Sequence, residues 1–125
     1  MIDKISAIVL AAGCSSRMGD HNKLLLTFHN QAMVSHVIDQ LVGSRVSNII
    51  VVTGNDFDAV TKSINQKVEF THNIVYKDGL SSSLKAGISA LPNTADGVMV
   101  CLADMPYITS HHYNQLLASF EKRKI

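Results

Sequence analysis

With 125 residues, 46% of them apolar and 17% charged, the chain has the make-up of one compact domain, and a formal net charge of +1 leaves no broad basic surface for nucleic acid or acidic membrane. No apolar stretch reaches the length of a membrane span. Met1–Lys4 is mostly polar and the apolar run after it is short, so no secretory leader is read and the expected location is the cytoplasm.

Ala7–Ala12 is a continuous apolar run, the pattern of a strand covered on both faces. It empties into Leu10–Lys23, reading LAAGCSSRMGDHNK. Gly13, Ser15, Ser16 and Gly19 allow close backbone approach there, while Arg17 and Lys23 bring positive charge. Free N–H groups and cations meeting where a strand ends suit the phosphates of a nucleotide. The gap from Gly13 to Gly19 is one residue too long for a Walker loop, and Asp20 stands where its lysine belongs. The absence of G-x-G-x-x-G argues against a dinucleotide-dependent oxidoreductase. Cys14 and Cys101 form no C-x-x-C unit and read as reduced small hydrophobes.

Leu24–Phe28 is a short apolar piece, partly extended. Met33, Val34, Val37, Ile38, Leu41 and Val42 recur at helical spacing, with Gly43 as a stop. Asn48–Thr53 reads as a second buried strand, and Asp56 as the cap of a helix over Phe57–Ile64. Val68–Tyr76 reads as a mixed strand, followed by a polar small-residue loop at Gly79–Ser82. Ser81 or Ser82 is the expected cap of the next helix, Gly87 allows it to pack closely on the sheet, and Leu84, Ile88 and Leu91 share one face before Pro92. Gly97–Leu102 is a third strong strand, running into Ala103–Asp104–Met105–Pro106. Thr109 or Ser110 caps a last helix with an apolar stripe of Tyr113, Leu116, Leu117 and Phe120.

Strand and helix alternate throughout, which predicts an α/β, Rossmann-like three-layer domain over 1–125, a mostly parallel sheet with helices on both faces. Ligands in such sheets lie beyond the carboxyl ends of the strands. The Leu10–Lys23 loop, the Gly79–Ser83 loop and Asp104 all fall there. Arg17 offers a rigid donor fork to phosphate oxygens, and Lys23 a mobile point charge. Asp104 either fixes the turn before the last helix or, facing a phosphate loop, serves as a hard oxygen ligand for Mg²⁺. The serines of the second loop either cap a helix or read a base edge or ribose. The six histidines show no metal-ligand spacing, and no G-x-S-x-G or Ser–His–Asp pattern supports a hydrolase.

Three motifs in this order, L-A-A-G-x-S-x-R-M-G-x-x-x-K (Leu10–Lys23), G-L-S-S-S-L-K-A-G (Gly79–Gly87) and C-L-A-D-M-P (Cys101–Pro106), resemble the MobA-like nucleotidyltransferases, most closely the molybdenum cofactor cytidylyltransferases. The resemblance implies transfer of CMP from CTP to the phosphate of a molybdopterin-type substrate with release of pyrophosphate, and a molybdoenzyme as client. It implies that Arg17 holds the triphosphate tail, Lys23 the α-phosphate region and Asp104 the Mg²⁺. It places Leu10, Ala11, Ala12, Gly13, Ser15, Gly79, Ser82 and Ser83 around the nucleotide, Ser83 near the cytosine. Ala12 stands where the guanylyl branch has glycine, which favours CTP over GTP. Typical members continue past the last helix with strands that build the acceptor pocket, so the chain corresponds to the N-terminal, nucleotide-binding part. A catalytically silent nucleotide-binding fragment, or a transferase for GTP or another phosphate acceptor, are the alternatives.

Overall fold

The structure is a computed structural model that describes residues 4–12 and 23–123. Four parallel strands form its sheet in the order β5-β4-β1-β6. Strand β1 (Ile5–Ala11) lies between β4 (Asn48–Thr53) and β6 (Gly97–Leu102), and β5 (Glu69–His72) flanks β4. Every residue of β1 is buried, which is why it reads as an unbroken apolar run instead of an alternation. A small hairpin precedes the first helix: β2 (Thr27–Phe28) and β3 (Gln31–Ala32) are joined by His29 and Asn30, both at positive φ.

Alternation along β1 divides the core. Ala7, Val9 and Ala11 face α1 (Met33–Val42), with Val34, Val37, Ile38 and Leu41 packed on them. The start of α4 (Ser110–Arg123) closes the same layer through the buried Tyr113. Ile8 and Leu10 point to the other face, where Val52, Ala86 and Leu91 join them under α3 (Leu80–Ser89). Helices on both faces of a parallel sheet give the α/β architecture that the sequence predicts. Cys101 is a free, buried thiol, and burial pushes its pKa up to about 12, as suits a packed apolar role.

Several element limits differ from the sequence reading, each for a local reason. The strand expected over Val68–Tyr76 ends at His72, because the Asn73 side chain accepts the Val75 N–H and turns the chain. Helix α3 begins at Leu80, so Ser81–Ser83 lie in its first turn, and its N-cap is Gly79 with no side-chain cap bond from a serine. Helix α2 (Phe57–Lys62) stops before Ile64, and Asp56 holds its N-cap position in the left-handed region (φ 54°) without a side-chain cap bond. Thr109 does cap α4: its Oγ1 accepts the His112 N–H at 3.4 Å, while His112 Nδ1 accepts the Thr109 N–H at 3.1 Å. The apolar stripes of the last two helices are also only partly interior. Tyr113 and Leu117 are buried but Leu116 is exposed, and the packed face of α3 is built on Ser83 and Gly87 while Ile88 is exposed.

Gly87 lets α3 lie close against the sheet. A Cβ there would stand 2.6 Å from Ile8 Cγ2 and 3.2 Å from Val52 Cγ2, both on fully buried side chains. Alanine gains about 1 kcal/mol of helix propensity over glycine, less than the overpacking cost of up to about 3 kcal/mol in a dense core. Gly87→Ala is therefore expected to lower the free energy of unfolding in urea by about 1–2 kcal/mol.

Candidate functional site

A cavity of about 450 Å³ opens at the carboxyl rim of the sheet. Leu10, Ala12 and Leu102 form its floor, continuing β1 and β6. Register sets that rim, since Leu10 pairs with both Val52 and Leu102, and Thr53 with His72. Pairing continues one step beyond the strands: the Ala103 N–H reaches Leu10 O at 3.3 Å and the Asn55 N–H reaches Ala12 O at 3.2 Å.

Asp104 occupies the turn that follows. The Met105 N–H donates to Leu102 O at 3.2 Å, and Ala103 is buried, so the turn is fixed and the exposed carboxylate of Asp104 borders the cavity. Among the described residues Asp104 makes no ion pair. Lys23 reaches the same cavity from the opposite direction in sequence. It opens a 3₁₀ turn, Lys23–Leu25, in which Leu24 is buried in the core and Lys23 is exposed. The anchor is the apolar neighbour, and the cation is what it presents.

The third wall is the start of α3 with the turn before it, through Tyr76, Lys77, Gly79, Leu80 and Ser83. Gly79 has φ 105° and ψ −175°, a conformation that costs any residue with a Cβ, and it directs the chain into the helix. Asn73 ties this wall to the sheet. Its side chain is buried; Nδ2 donates to Ser82 Oγ at 2.9 Å and to Ser83 Oγ at 3.0 Å, and Oδ1 accepts the Val75 N–H at 3.1 Å. Ser82 Oγ in turn donates to Gly79 O at 2.7 Å. The start of a helix, two lysines and one carboxylate thus border a single space, an arrangement suited to an anion with an accompanying cation.

The sequence matches the MobA-like NTP transferase domain over residues 7–125. The chain belongs to that family. It is 33% identical over 107 residues to the bifunctional protein GlmU of Sinorhizobium medicae, covering 83% of this chain and 24% of that protein. Against the bifunctional protein GlmU of Alkaliphilus oremlandii it is 34% identical over 119 residues, covering 92% of this chain and 25% of that one. A solved nucleotidyl transferase from Methanothermobacter, Mth528, superposes with a TM-score of 0.85 at 26% identity, over 92% of this chain and 57% of that one. The chain spans about a quarter of the length of the curated relatives it matches.

Of the family-type site residues expected from sequence, Leu10, Ala12, Lys23, Gly79, Ser83 and Asp104 all border the one cavity. Ala11 is buried in β1 with its methyl in the core under the opposite face, and Ser82 spends its hydroxyl on the Asn73–Gly79 network; neither borders the cavity. Gly13, Ser15 and Arg17 lie outside the described residues. Sequence reasoning missed Tyr76 and Lys77, because Val68–Tyr76 reads as strand while the chain leaves the sheet at Asn73. It also missed Asn73, although asparagine is a recognisable turn former where a strand ends. Asn73→Ala leaves two serine hydroxyls and the Val75 N–H without this partner. The expected loss in urea unfolding is about 1–3 kcal/mol, and a value within experimental error of wild type would contradict the bracing role.

Proposed function

We propose that this chain forms the nucleotide-binding part of a transferase that moves CMP from CTP to the phosphate of a molybdopterin-type acceptor, releasing pyrophosphate. The observation that carries the reading is the meeting of Lys23, Asp104 and the start of α3 around one cavity at the carboxyl ends of the parallel strands. Membership of the MobA-like family and the likeness to Mth528 support nucleotidyl transfer as the class of reaction.

In this reading an acceptor phosphate oxygen attacks the α-phosphorus of the nucleotide. The new P–O bond forms as the bond from that phosphorus to the bridging oxygen breaks, and pyrophosphate leaves with the electron pair. A phosphomonoester is already largely deprotonated at neutral pH, so no side chain need remove a proton. What the protein must supply is alignment and neutralisation of two anions. Lys23 sets a mobile cation beside the reacting phosphates, and Lys77 adds a second positive charge to the cavity wall. Ser83, the Gly79 backbone and Tyr76 face the same space and are placed to contact base or ribose. Arg17 is assigned to the triphosphate tail.

The donor set fits Mg²⁺. Among the described residues no group of three or more His, Cys, Asp or Glu side chains could hold a metal by itself, and Asp104 is one exposed carboxylate at the rim. One or two carboxylates together with substrate phosphates is the usual environment of Mg²⁺. When bound, the ion supplies charge neutralisation at the phosphate oxygens. We place the activity in the cytoplasm and a molybdoenzyme downstream of it; no helix among the described residues is long and apolar enough to cross a membrane.

The GlmU relatives favour a second reading, in which the same chemistry serves another phosphate acceptor or another nucleotide. Calorimetry with CTP and GTP in Mg²⁺, followed by a pyrophosphate assay with each acceptor, separates the two. The expected result is CTP binding that weakens at least about tenfold in Asp104→Ala and less in Arg17→Ala, with turnover reduced about 10²–10³-fold in Lys23→Ala. No binding of any nucleotide in the presence of Mg²⁺ would overturn the assignment. Pyrophosphate release with a different acceptor alone would replace molybdopterin phosphate and leave the transferase standing.

A further inference from the structure

Gly54 follows β4 directly and is buried, yet it does not border the cavity. Tyr76 does, and it lies against Gly54. A Cβ on residue 54 would stand 2.6 Å from Tyr76 Cβ, 2.9 Å from Tyr76 Cγ and 2.8 Å from Ala12 Cβ. Carbon atoms pack at roughly 3.5–4.0 Å, so all three contacts are far too short. Two of them involve Cβ atoms, whose places are set by the backbone and which no side-chain rotation can move. Any side chain at residue 54 therefore displaces either the end of β1 or the turn that carries Tyr76.

The turn is the weaker of the two. Ala12 is buried, continues β1 and accepts the Asn55 N–H at 3.2 Å. Tyr76 is half-buried and opens a 3₁₀ turn, Tyr76–Asp78. The Asp78 N–H donates to Val75 O at 2.9 Å and the Gly79 N–H to Tyr76 O at 3.2 Å, bonds internal to the segment that let it shift as a unit. Gly54 lies behind Tyr76 and the cavity lies in front, so the displaced ring moves into the cavity.

We propose that Gly54 is a positioning residue for nucleotide selection: lacking a side chain, it seats Tyr76 back against Ala12 and so sets the width of the space left for a base. The inference rests on the nucleotide-binding reading above. An aromatic ring beside a cavity is a stacking surface for a flat base, and its depth decides how large a base fits. Tyr76 and Ala12 bound that side together, whereas Lys23 and Asp104 reach the cavity from other elements. Moving Tyr76 therefore penalises a ligand that carries a base more than one that is phosphate alone.

The test titrates the full chain by calorimetry with CTP, GTP and inorganic tripolyphosphate, each with Mg²⁺. Gly54→Ala is expected to weaken CTP about tenfold and GTP at least as much, while tripolyphosphate stays within about twofold. Tyr76→Gly removes both clashing tyrosine atoms and takes the ring out of the wall. It is expected to raise GTP affinity relative to CTP about fivefold, and Gly54→Ala added to it is expected to cost less than about threefold further. Unchanged CTP affinity in Gly54→Ala, equal losses for CTP and tripolyphosphate, or a full tenfold loss persisting on Tyr76→Gly would overturn the proposal. Should Gly54→Ala fail to fold, Tyr76→Gly decides alone: an unchanged CTP to GTP ratio overturns the proposal and leaves nucleotide binding standing. No binding of any of the three to wild type would overturn the nucleotide-binding reading, and this proposal with it.

Discussion

Strand β1 has no exposed residue and is paired along both edges, to β4 on one side and β6 on the other. Its backbone groups have no water to turn to, so a slip of register would leave buried N–H and C=O groups unpaired and turn apolar side chains to the wrong layer. That constraint reaches beyond the strand itself. Because Leu10 is level with Val52 and Leu102, the segments leaving β1, β4 and β6 emerge along one rim, and the turn holding Asp104 follows two residues later. The carboxylate of the candidate site therefore inherits its position from an apolar register.

Lys23 and Ser83 are positioned by a different device in each case. Burial of Leu24 anchors the short turn that carries Lys23, whereas the Asn73 side chain, itself buried, braces the helix start that carries Ser83. Neither depends on an ion pair; among the described residues the one salt bridge is the exposed Asp58–Lys62 pair on α2, of small energetic weight. Lys23, Lys77 and Asp104 are thus left to interact with what enters the cavity, which is what a site for anionic substrates requires.

The parts of this fold legible in the sequence are those carried by apolar patterning. Ala7–Ala12, Asn48–Thr53 and Gly97–Leu102 read as strands because continuous apolar runs bounded by loops have few other uses in a domain of this size, although Val98 and Val100 of the last are exposed, and α1 shows itself by its spacing. The clustering of Lys23, Asp104 and the second loop followed from parallel topology, since ligands gather at the carboxyl ends of such strands. What was not legible depended on side chain–backbone competition. Asn73 ends β5 early, and the serines of α3 enter the helix instead of capping it, because tertiary hydrogen bonds to Asn73 and a glycine at the cap position decide the local geometry. The edge-on contact of the Phe28 and Tyr107 rings, 5.3 Å apart, is equally invisible, for the two are far apart in sequence and meet only in the fold.

In the proposed function Lys23 and Asp104 grip one magnesium–triphosphate ligand between them. A double-mutant cycle on CTP affinity, with Lys23→Gln, Asp104→Asn and the two combined, measured by calorimetry at fixed Mg²⁺, addresses it most directly. Groups that hold a single ligand are energetically coupled, so the combined loss should depart from the sum of the single losses by about 1 kcal/mol or more. Losses that add to within about 0.3 kcal/mol would show two residues acting independently and would contradict the account.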